Sequence, residues 1–149
     1  MAHSHDKIHF RSSIFAERPT LTAIVIGSVF LLPHFLLTEN LSVGFAATFI
    51  SLIAGIYFGF AVVNGSTREQ MIEVTVAGLF LSAAMLGLAL WPGIIALAYL
   101  GHAVWDFAHH NRMRLSLVQI PSWYVPWCAI IDVIIGVGLI VVWRIYGVI

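Results

Sequence analysis

Charge is what this sequence has least of. Only 9% of its 149 residues are Asp, Glu, Lys or Arg, while 60% are hydrophobic; a water-soluble domain carries about 25% charged residues. A water-soluble fold is therefore excluded. Seven basic residues balance seven acidic ones, so the whole-chain charge points to neither nucleic acid nor an acidic substrate as a partner. Cysteine is equally scarce. Cys128 stands alone, which excludes an intramolecular disulfide, and a single thiol in an apolar run reads as a small inert hydrophobe. The common catalytic signatures are missing too: no GxSxG elbow, phosphate-binding glycine loop, CxxC pair or CxxCH haem attachment site occurs. No internal repeat is visible, so an inverted-repeat transporter is not supported. Residues 1–20 contain no apolar core, and no small-residue cleavage site follows the first apolar run, so a cleaved signal peptide is not expected.

What the chain does have is apolar runs of membrane-spanning length. They fall at about residues 21–37, 42–63, 71–90, 93–110 and 124–146, each near the ~20 residues that cross ~30 Å of hydrocarbon as a helix. The expected fold is an all-α, polytopic membrane helix bundle of about five transmembrane helices. Residues 1–20 are expected to form a mobile cytoplasmic tail, in which His3, His5 and His9 hold a divalent ion at most loosely, and 21–149 a single transmembrane domain. Pro19 opens the first helix and Pro33 is expected to kink it. The segment 93–110 is short and increasingly polar, so a partly inserted segment is the alternative to a fifth span there.

Five spans put Lys7, Arg11, Arg18, Arg68, Arg112 and Arg114 on one side and Arg144 on the other. This bias predicts a cytoplasmic amino terminus and an outer carboxyl terminus in the cell inner membrane. Trp91, Trp123, Tyr124, Trp127, Trp143 and Tyr146 fall at the span ends as aromatic belts. Gly55 with Gly59, and Gly78 with Ser82, form small-xxx-small pairs that predict close helix contacts.

Ionisable side chains inside a bilayer cost ~2.5–3.5 kcal/mol on insertion scales and normally face a partner, a cavity or an ion. The densest tract runs from Gly101 to Arg112. At about 100° per residue, His102, Asp106 and His109 share one helical face and His110 lies slightly beyond it. Depth decides which other groups join them. His102 and Asp132 both lie about eight residues from the cytoplasmic ends of their helices, roughly 12 Å deep, so they can meet. Glu73 matches the shallower level of Asp106 and His109, whereas His34 lies near the opposite surface and is expected to cap a turn or bond water there. Imidazole and carboxylate ligands suit zinc or iron(II). The metal candidates are therefore His102, Asp106, His109 and His110, with Glu73 and Asp132 as catalytic proton carriers. Equally open is a purely structural reading, in which Asp106 bonds a histidine and ties helices together.

The pattern HxxxDxxHH at His102 to His110 resembles a fragment of the histidine boxes of membrane fatty-acid hydroxylases and desaturases, families that need several further histidines which this chain lacks. Together with Pro121 to Pro126 and Asp132, the same tract resembles small multi-pass bacterial membrane proteins over about the last fifty residues, a resemblance that implies no activity. Two function classes follow. One is a metal-dependent enzyme acting on a lipid or other lipophilic substrate near the cytoplasmic leaflet. The other is a non-enzymatic subunit or carrier of a larger membrane complex, whose polar stripe binds haem or quinone, relays protons or secures helix packing.

Overall fold

Several helices in this chain start where a capping residue or proline prepares them. The structure, a computed structural model, describes residues 13–111 and 117–149, without the side chains of His110 and Asn111. Helix α1 (Ile14–Glu17) is capped by Ser13, whose hydroxyl oxygen accepts from the Ala16 amide. Helix α2 (Pro19–Leu31) begins on Pro19, where a missing N–H leaves nothing unsatisfied. Of the expected tail 1–20, the described part is thus largely helical, with Phe15 edge-on to Trp127; His3, His5, His9, Lys7 and Arg11 lie outside the described residues, as do Arg112 and Arg114.

Pro33 does not kink a continuous helix. It cannot donate to the Val29 carbonyl, and the Leu32 amide takes that acceptor as α2 tightens into a 3-10 turn over Leu32–Phe35. Helix α3 (Glu39–Asn64) then runs back, and α4 (Thr67–Ala89) opens on a reciprocal capping box between Ser66 and Glu69. Helix α5 (Gly93–Asn111) and helix α6 (Tyr124–Ile145) complete the bundle, with no strand among the described residues.

Three of these helices, α3, α4 and α6, are long and apolar enough to cross a membrane, with mean hydropathies of 2.1, 1.9 and 2.5 over their most apolar stretches. The apolar segment Pro19–Phe35 is shorter, and α5 carries the buried polar residues His102, Asp106 and His109. The molecule is turned outward in its chemistry. Helix α4 has only 17% of its apolar stretch buried and leaves Leu79 and Met85 at 65% and 59% exposure. In water such a surface would aggregate; in hydrocarbon it is at its solvent. The chain is a helical membrane protein.

Helix α6 is the central element, half buried along its apolar stretch and packed against both α5 and α2, while α3 packs along α4. Gly136 sets the α5–α6 seam: a Cβ there would stand 2.8 Å from the Leu100 side chain and 3.0 Å from the Ala96 carbonyl oxygen. The small-xxx-small pairs do not play this part. Gly55, Gly59 and Gly78 have nothing within 4 Å of a virtual Cβ, and Ser82 is exposed and bonds back to Gly78 of its own helix. Those faces turn away from the bundle because the buried faces of α3 and α4 carry Tyr57 and Glu73 instead.

Candidate functional site

Four helices bring polar side chains to one level of the bundle, on the side where Asn64, Ser66 and Asn111 end or begin their helices. Helix α5 presents His102, Asp106 and His109 from one face, as the 3.6-residue repeat requires. One turn of α6 before Gly136 stands Asp132, and one turn earlier Cys128. Helix α3 contributes Tyr57 and helix α4 Glu73. Six of the seven are at most 3% exposed and His109 is 7% exposed.

The deeper half centres on His102. Its Nδ1 bonds Asp132 Oδ2 at 2.7 Å and lies 3.7 Å from Asp106 Oδ1. That bond holds one proton between Nδ1 and the carboxyl oxygen. The Tyr57 hydroxyl donates to the same Asp106 oxygen through a short bond. Cys128 Sγ lies 3.9 Å from Asp132 Oδ2, close enough for a weak thiol donation. Three buried atoms, His102 Nε2, Asp106 Oδ2 and Asp132 Oδ1, have no hydrogen-bond partner among the described residues. Orphaned buried polar atoms are costly and call for an explanation such as an ion.

The shallower half centres on His109. Its Nε2 lies 2.8 Å from Glu73 Oε1 and its Nδ1 3.1 Å from the Trp105 carbonyl oxygen. Trp105 Nε1 donates to the second Glu73 oxygen at 3.3 Å. The carbonyl can only accept, so Nδ1 is protonated; the Nε2–Glu73 bond then holds one further proton, on either partner, and the pair is neutral as a whole. The Tyr57 ring lies between the halves, 5.5 Å from the His102 ring and 4.6 Å from the His109 ring, centroid to centroid.

One donor atom each from His102, Asp106, Cys128 and Asp132 lie within 4.8 Å of one another. Ligands across one zinc ion stand at most about 4.6 Å apart, twice the longest zinc–ligand bond. Sharing an ion takes His102 through the Nδ1 that faces both carboxyl groups, with its proton displaced, or through Nε2 after the ring turns. Among the candidates read from the sequence, His102, Asp106 and Asp132 come together here. His109 and Glu73 pair with each other a turn away, and the His110 side chain lies outside the described residues. Tyr57 and Cys128 were not expected. Cys128 lies one turn from Asp132 on the same face, and Tyr57 about seven residues, roughly 10 Å, from the end of its helix, within one residue's count of His102 and Asp132; those spacings were the available signals.

His34 is far from this cluster, at the other end of the bundle. Its Nδ1 bonds Ser42 Oγ at 2.7 Å, which also accepts from Trp143 Nε1 at 2.9 Å. The three residues join the 3-10 turn to α3 and α6.

Comparison with known proteins gives a family and no function. No curated protein and no solved structure matches the chain. A model for a family of unknown function, DUF6010, matches residues 18–144, a range that takes in every helix from α2 onward and the whole polar cluster. The chain belongs to the DUF6010 family.

Proposed function

We propose that this chain is a divalent-metal protein of the cell inner membrane that acts on a lipid or other lipophilic substrate, with zinc or iron(II) held by His102, Asp106 and Asp132. The observation that carries the reading is the set of buried atoms without a hydrogen-bond partner, His102 Nε2, Asp106 Oδ2 and Asp132 Oδ1, within one group of ligand-type side chains. Two carboxyl groups, Asp106 and Asp132, meet there, and neither has a Lys or Arg among its hydrogen-bond or ion-pair partners in the described residues. Uncompensated carboxylates in a low-dielectric interior are strongly disfavoured. A divalent cation on both cancels the charge and satisfies the orphaned oxygens. A thiolate at Cys128 would make the site negative again, so Cys128 remains a thiol and a coordination position is left for water or substrate.

A bound ion of this kind polarises a substrate oxygen or acidifies a water molecule. The protein's own part is to hold and deliver a proton. Tyr57 fixes Asp106, and the Glu73–His109 pair stores an exchangeable proton beside the Tyr57 ring. Asp132, expected from the sequence to carry protons, is assigned here as a ligand. The loop charges support a cytoplasmic amino terminus, five crossings and a site near the cytoplasmic leaflet.

The second reading is structural, and it too has an observation in its favour. His102–Asp132 ties α5 to α6, Tyr57–Asp106 ties α3 to α5, and Glu73–His109 ties α4 to α5. A subunit of a larger complex needs no more than that. Metal analysis of the purified full chain separates the two. About one divalent ion per chain is expected in the wild type and in Cys128→Ser, and none in Asp106→Ala or Asp132→Ala. A folded wild-type protein that takes up no ion from metal-supplemented buffer overturns the metal reading in favour of the structural one.

A further inference from the structure

An apolar groove of about 570 Å³ lies between α4 and α5 on the outside of the bundle, with walls that include Val76, Leu79, Leu97 and Val104. Its floor is the partition that separates hydrocarbon from the polar cluster. Phe80 lines the groove and also packs edge-on against the His102 ring, 5.0 Å between centroids. Trp105 lines it as well, while its indole N–H reaches Glu73 and its ring packs 5.1 Å from His109. Gly101 keeps the floor low, since a Cβ there would meet only Phe80, at 3.6 Å.

We infer that this groove holds a single acyl chain, laid alongside the His102/Asp106/Asp132 cluster with its head at the Trp105–Ala108 end. The inference deepens the proposed lipophilic substrate and rests on that reading for the chain's being a reactant. Length argues for the occupant. From Leu97 to Ala108 the groove runs eleven residues of α5, about 16 Å at the helical rise, which matches the ~15 Å hydrocarbon depth of one leaflet. Its volume lies within the ~300–1,000 Å³ of small-molecule sites. Polarity argues for the direction. Trp105, the one lining side chain with a polar atom, stands at one end, nearer the end of α5 that closes at Asn111, and the other end offers only Leu97, Ala98 and Ala83. His102 lies six residues from Ala108, so the cluster flanks the chain about 9 Å from that end, at its middle.

The test titrates a stearate brominated at mid-chain into the full chain reconstituted in phosphatidylcholine nanodiscs. Bromine quenches a tryptophan it touches, and the Trp105 signal is the difference between wild type and Trp105→Phe. That signal is expected to saturate near one fatty acid per chain. Gly101→Leu, which fills the floor, should raise the half-saturating amount roughly tenfold, the factor for displacing about two methylenes; Val104→Trp, at a position 69% exposed on the groove wall, should do likewise should the glycine variant fail to fold. Quenching of Trp105 that climbs in proportion to the bromostearate fraction, as it should for the outward-facing Trp91, overturns the inference. So does saturation that both variants leave unchanged. Metal content measured on the same samples keeps the two readings apart: saturable binding to metal-free protein supports the groove and contradicts the metal site, whereas an ion without saturable binding does the reverse.

Discussion

Replacing Tyr57 by phenylalanine removes one hydroxyl from a buried carboxylate and leaves the ring between the two histidines in place. Because that hydroxyl orients Asp106, loss of a supporting bond to a ligand should weaken metal affinity by about 10- to 100-fold, read by competition with a chelator of known affinity. Stability should fall only by ~0.6–1.7 kcal/mol, the usual range for a polar bond between membrane helices. His34→Ala separates structural from chemical roles. It removes the imidazole partner of the Ser42 hydroxyl and leaves the Trp143–Ser42 bond in place, so unfolding in mixed micelles should show a loss of similar size, with metal content unchanged. His102, Asp106 and Asp132 were legible in the sequence because depth along a helix is simple arithmetic and lone charges in hydrocarbon stand out. Tyr57 was not, since a tyrosine in an apolar helix reads first as an interface aromatic. Cys128 reads as a small hydrophobe until the fold shows it one turn from Asp132.

At the scale of helices, the cluster depends on how closely α5 approaches α6. Gly136→Leu would drive a side chain into Leu100 and the Ala96 carbonyl, separating His102 from Asp132. Overpacking of this kind typically costs ~1–3 kcal/mol, and the ion should be lost with it. Gly55→Ala and Gly59→Ala are the contrast: with nothing within 4 Å, each should leave metal content intact and stabilise α3 slightly through its helix propensity, measured by the same unfolding assay. The apolar runs located every long helix to within a few residues, because span length and breaking residues are local properties. Which face of each helix turned inward was not local. Gly55 and Gly59 looked like a contact surface, yet one polar group, the Tyr57 hydroxyl, was enough to turn the opposite face inward, since it has no partner in lipid.

The whole molecule is a bundle whose outside is hydrocarbon-compatible and whose polar inside is concentrated near one end. Positive residues in the loops predict that this end is cytoplasmic. A cysteine placed at the carboxyl terminus of a Cys128→Ser background should react with an impermeant maleimide added outside intact cells, and one at the amino terminus should not; the opposite pattern would invert the topology. The central claim, that two buried carboxylates and one imidazole hold a divalent ion, is most directly tested by X-ray absorption at the metal edge of the loaded full-length protein. The account predicts a low-coordinate shell of nitrogen and oxygen at ~2.0–2.2 Å with an imidazole contribution and no sulfur at ~2.3 Å. An absent metal edge, or a shell dominated by sulfur, would contradict it.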